Sequence, residues 1–118
     1  MQYRMSKRAK FKISCKFWIE FDGKRVVGKG GAAILEQIKK ERSISKTAEK
    51  LGMSYRYVWS YLREMSRVLG EPIVETFKGG RHGGGGAKLT ELGEYLLSEY
   101  NLISKSFESF ISDKNSRK

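Results

Sequence analysis

Between Phe11 and Phe21 apolar and polar side chains alternate along the chain. The odd positions read Phe, Ile, Cys, Phe, Ile, Phe and the even ones Lys, Ser, Lys, Trp, Glu. A period of two predicts a half-buried strand over 11–21. On that register Cys15 points into the core as a small buried hydrophobe; the alternative is a thiol that meets its twin across a dimer. Gly23 then turns the chain into KRVVGKGG, residues 24–31, which can supply a second short strand.

From residue 32 the period lengthens to that of a helix. AAILEQIKKER, 32–42, places Leu35 and Ile38 on one inner face. SISKTAEKLG, 43–52, follows, with Ser43 or Ser45 as its cap, Ala48 and Leu51 inward, and Gly52 at its end. Ser54 caps a further helix to Leu69, whose stripe is Val58, Tyr61, Leu62, Met65 and Leu69, and Gly70 and Pro72 stop it. IVETF, 73–77, and AKL, 87–89, read as two strands around a glycine-rich loop. Thr90 caps a last helix expected to run to about Ser112. Its apolar residues Leu89, Leu92, Leu96, Tyr100, Ile103, Phe107 and Phe110 recur every three or four positions. That stripe outruns the core of one small domain. Tyr100, Ile103, Phe107, Phe110 and Ile111 are therefore expected to pair with a second copy of the chain; the alternative is a tail folded back onto its own strands.

Ala48, Gly52 and Val58 stand at the spacing A-x3-G-x5-V. Two helices that cross closely need a small residue at the first position. The tight turn needs positive φ at the second, and a β-branched anchor at the third ties the next helix to the core. This is a helix-turn-helix, and the strand, loop, strand and helix that follow make it a winged one. The expected fold is mainly α with a small β wing, an N-terminal strand and a long C-terminal dimerisation helix. The expected layout is a basic arm over 1–10, the winged domain over 11–100, the long helix over 90–113 and a tail over 114–118.

Opposite the apolar stripe, helix 54–69 carries Arg56, Ser60, Arg63 and Arg67, with Tyr57 beside them and Tyr55 and Trp59 at the flank. A helix armed in this way can enter the major groove of DNA, where an arginine pairs bidentately with guanine; the plainer reading is a solvated basic face. Trp59 reads as a residue at the edge of the core more than as a base contact. The loop over 79–86 holds six of the thirteen glycines, interrupted by Arg81 and His82. It lacks the G-x-x-x-x-G-K-[ST] order of a nucleotide-binding loop, and its flanking strands are too short to belong to separate domains. It reads as a wing, with Arg81 suited to a narrow minor groove; a loop that touches nothing is the plainer alternative. Lys46, Lys78 and His82 complete the candidate DNA-binding set, with Ser54 at the helix entry.

Charge agrees with this reading. The 118 residues carry a formal net charge of +11, which favours a polyanionic partner. It is also segregated: residues 1–29 hold nine Lys and Arg against Glu20 and Asp22, whereas residues 90–113 hold Lys105 alone against five acids. One cysteine and one histidine cannot make a four-ligand zinc site. No metal, cofactor or catalytic constellation is expected, so the chain is read as a non-enzyme. No stretch reaches the roughly 20 apolar residues of a membrane span, and a cytoplasmic, nucleoid-associated protein is expected.

GGAAILEQI, SISKTAEKLGMSYRYVWSYLREMSRVLGEPIVE and GGRHGGGGAKLTELGEYLL resemble the N-terminal DNA-binding domain of ModE-type molybdate-responsive regulators, itself similar to the winged helix of LysR-type regulators. The likeness covers about residues 30–100. It implies a dimeric, operator-binding winged helix, with Ser54, Tyr55, Arg56 and Trp59 in the recognition-helix motif and residues 79–86 in the wing. Full-length regulators of that type carry a further molybdate-binding region. Nothing in these 118 residues matches it, so no small-molecule effector is expected. Compact archaeal DNA-binding proteins are similar as well. The expected function is a homodimeric double-stranded DNA-binding transcription regulator; the alternative is an architectural chromatin protein with little sequence preference.

Overall fold

The computed structural model describes residue 7 and residues 9–79 and 85–116. In chain order its elements are β1 (Ile19–Phe21), β2 (Lys24–Val27), α1 (Lys29–Glu41), α2 (Ile44–Leu51), α3 (Tyr55–Leu69), β3 (Val74–Phe77), β4 (Gly86–Leu89) and α4 (Glu91–Ser116). β1 pairs antiparallel with β2, and β3 with β4 in the register Val74 to Leu89 through Phe77 to Gly86. The mainly helical architecture with a small β wing is the one expected from the sequence. No helix among the described residues is long and apolar enough to cross a membrane.

The caps fall where side-chain chemistry puts them. Ser43 Oγ accepts from the Lys46 amide at 3.1 Å, Ser54 Oγ from the Tyr57 amide at 3.0 Å, and Thr90 Oγ1 from the Gly93 amide at 3.1 Å. Each satisfies one of the amides that a helix start leaves unpaired. Gly52 closes α2 at φ 65°, a left-handed conformation that costs a side-chain-bearing residue and that the tight turn into α3 requires. The core gathers Ile34, Leu35 and Ile38 of α1, Ala48 of α2, Val58 and Leu62 of α3, Ile73, and Leu96 and Leu97 of α4. Ala48 is small because α2 and α3 cross there, and Val58 is fully buried as the anchor of α3.

β2 is fastened to the other side of α3 by one directional bond. Tyr61 Oη donates to the Val26 carbonyl at 2.8 Å. Burial, reinforced by Tyr57 and opposed by Arg25, pushes the Tyr61 hydroxyl well above its usual range, so it stays a donor. Gly31 in α1 packs against this ring, and a Cβ there would overlap the Tyr61 hydroxyl. Tyr61→Phe removes the donor and leaves a part-buried carbonyl unpaired. The expected loss is about 1–2 kcal/mol of stability in chemical denaturation. An unchanged midpoint and slope would show that the bond contributes nothing.

The N-terminal segment departs from the expected strand. Only residues 19–21 of the alternating stretch pair in a sheet, because β2 offers four residues and, among the described residues, no other strand lies beside residues 11–18. Those residues instead run against the distal half of α4. Phe17 stacks on Tyr100 and Phe107 at centroid distances of 4.6 and 5.4 Å. The Ile13 amide donates to Asn115 Oδ1 at 2.9 Å, and Asn115 Nδ2 donates to the Ile13 carbonyl at 3.3 Å. A helix covers one face of an extended segment but not in the register of a sheet. Cys15 is consequently exposed, not buried in the core as the alternation suggests, and Phe11 and Ile13 are exposed with it. α4 also runs four residues beyond its expected end, to Ser116.

Candidate nucleic-acid interface

The outer face of α3 is built by subtraction. Val58 and Leu62, with the half-buried Tyr61, Met65 and Leu69, turn one side inward. At 100° per residue the opposite side is left to Arg56, Ser60, Arg63 and Arg67, all exposed. Tyr55 and Tyr57 are more than half exposed at the same N-terminal end. The Ser54 cap holds this end of the helix, with its positive dipole pole, beside Arg56. Lys46 is exposed in the first turn of α2, and Lys78 is exposed just past the end of β3. Arg81 and His82, the candidate wing contacts, and most of the basic arm over 1–10 lie outside the described residues.

Trp59 sits at the border between core and solvent, 36% exposed. It lines a shallow groove with Ser66, Gly70, Pro72 and Val74. On this flank the Ile73 amide donates to Ser66 Oγ at 3.3 Å, which sets the angle at which the β3–β4 wing leaves α3.

One acidic residue on this helix was not singled out by its sequence pattern. Glu64 takes the Arg67 guanidinium in a two-pronged pair, with Arg67 Nε to Glu64 Oε2 at 3.0 Å. The hydrogen bond from Arg67 holds the Glu64 carboxyl below its usual range, and the charges of Arg67 and Lys24 add to it. The i, i+3 spacing of the pair was readable from the sequence. A phosphate approaching Arg67 must compete with this carboxylate. Glu64→Gln frees the guanidinium and removes a repelling charge, so duplex affinity should rise about threefold or more in a titration at low salt. A fall in affinity would place Glu64 among the groups that position the helix.

The distal half of α4 has two edges. Tyr100 is buried beneath Phe17 of its own chain, and Ile111 is half-buried on the same side. The other edge is open: Ile103 is 36% and Phe110 55% exposed, whereas Phe107, 40% exposed, stacks on Phe17. The chain's own N-terminal segment thus covers one side of the apolar stripe, and Ile103 and Phe110 on the other side face outward.

Comparison with known proteins agrees with this geometry. The sequence profile of the bacterial regulatory helix-turn-helix proteins of the lysR family matches residues 32–94. The chain is 39% identical over 85 residues to the transcriptional regulator ModE of Yersinia pestis, covering 69% of this chain and 32% of that protein. It is 35% identical over 94 residues to the molybdenum-pterin-binding protein MopB of Rhodobacter capsulatus, covering 80% and 34%. The chain therefore spans about a third of the length of these curated relatives. Among solved structures, the BenM_DBD/catB site 1 DNA complex superposes with a TM-score of 0.54 at 18% identity, covering 72% of this chain and 88% of that one. That likeness shows the fold.

Proposed function

The chain belongs to the lysR family of bacterial regulatory helix-turn-helix proteins, and on that premise we propose that it is a homodimeric transcription regulator that binds double-stranded DNA. α3 enters the major groove. Arg56 reads a base edge there, and Ser54, Tyr55, Tyr57, Ser60, Arg63 and Arg67 hold the flanking backbone and sugars together with Lys46 and Lys78. Arg81 and His82 of the wing contact the neighbouring groove.

The observation that carries the reading is the outer face of α3, where three exposed arginines, one of them paired with Glu64, lie opposite the buried Val58–Leu62 side. The likeness to regulators named for that role supports it. Two copies joined through the open edge of α4 present two such helices, suited to successive major grooves about 34 Å apart. Selection from a random duplex pool should therefore enrich a palindrome with half-sites about one helical turn apart. A pool that stays random after repeated selection, with undiminished binding, would overturn the base-reading role of α3.

A further inference from the structure

The β1–β2 hairpin has no part in the helix-turn-helix, yet it is anchored directly on the flank of α3. About 80–140° around the helix from Arg56 lie Glu64, Tyr57 and Tyr61, and Tyr61 binds the Val26 carbonyl at 2.8 Å. About 60–80° around in the other direction lie Trp59 and Ser66, where the β3–β4 wing departs. The proposed recognition helix is thus bracketed by two antiparallel hairpins, one on each side.

The hairpin's tip is well defined. Phe21 pairs with Lys24 across Asp22 and Gly23. These two residues take φ of 52° and 78°, the left-handed pair of a tight two-residue turn. Lys24 is exposed, on the strand that continues two residues later into the Tyr61 anchor. Its charge adds, after the Arg67 hydrogen bond and charge, to what holds the Glu64 carboxyl of α3 below its usual range. Glu20 and Arg25 are occupied elsewhere: Trp18 Nε1 donates to Glu20 at 2.7 Å, and the Arg25 guanidinium lies over the Trp18 ring at 4.8 Å.

A helix about 10–12 Å across fills a major groove about 12 Å wide. Whatever stands on either flank of the helix then meets one of the two sugar–phosphate backbones. We infer that the β1–β2 hairpin is a second wing, whose Lys24 binds a duplex phosphate on the side of α3 opposite the β3–β4 wing. This rests on the reading of α3 as the groove-binding helix. It adds a contact outside residues 32–94, the span shared with the family. Asp22 stands beside the same phosphate and opposes the contact, while its short polar side chain tolerates the turn conformation.

The test is a set of single substitutions in the full chain, titrated into a mixed-sequence duplex of about three helical turns over a series of salt concentrations. Lys24→Ala should weaken binding about three- to tenfold and lower the salt slope by about one. Asp22→Asn keeps a residue that accepts the left-handed turn and should tighten binding about twofold or more. Lys105→Ala, on the distal half of α4, should change nothing, and melting curves establish that each variant folds. Opposite shifts at positions 24 and 22 support the second wing. Any other pattern at these positions, with Arg56→Ala still losing site preference, overturns the second wing and leaves the role of α3 standing. A wild-type chain that binds no duplex overturns both.

Discussion

Replacing Ile103 and Phe110 together by glutamate should yield a folded monomer that loses about 10²-fold or more in affinity for a palindromic duplex. Both side chains lie on the open edge of α4, away from the face covered by Phe17, so their replacement leaves the chain's own packing intact. Each apolar side chain buried in a partner contributes about 1.5–3 kcal/mol. Two charges at the centre of such a patch remove that gain and add a desolvation cost. The large effect on DNA binding arises because one half-site tethers the other at high local concentration. Sedimentation and DNA titration on the same samples check both halves of the expectation. An unchanged dimer would move the interface away from this edge of α4.

Arg56→Ala should cost about 1–3 kcal/mol at the preferred site while changing binding to random duplex far less. Arg56 is exposed at the start of α3, one residue inside the helix and two from the Ser54 cap. The cap fixes the direction in which the guanidinium leaves the helix, and a bidentate base contact needs that fixed direction. Arg67 provides the contrast. Its guanidinium is held by Glu64, so Arg67→Ala should weaken binding only slightly and to all sequences alike. Titration of both variants against selected and scrambled duplexes separates the two roles. Equal losses for Arg56→Ala on both duplexes would demote it to a phosphate contact.

The helix-turn-helix was legible because its constraints are local. Ala48, Gly52 and Val58 each answer a steric demand of two short, sequence-adjacent helices, and Ser43, Ser54 and Thr90 cap helices whose starts they directly precede. The segment before β1 was misread because alternation reports an extended backbone, not the partner that it lies on. Phe17 alternates just as it would in a sheet, but its neighbours are Tyr100 and Phe107, more than 80 residues away. Cys15 went wrong for the same reason. The anchoring of β2 on α3 through Tyr61 and Val26, 35 residues apart, left no periodic signature. The basic face of α3 was visible by helical counting, whereas the capture of Arg67 by Glu64 required attention to a spacing of three that the count of arginines alone passes over.

The central claim is that α3 reads sequence in double-stranded DNA. The most direct test is the ratio of affinities for a selected duplex and a scrambled duplex of the same composition, both measured at one stated salt concentration near physiological. A groove-reading regulator should prefer its site by about 10³-fold or more. A ratio near one, with affinity falling steeply as salt rises, would contradict the claim and make the chain an architectural DNA-binding protein that holds phosphates without reading bases.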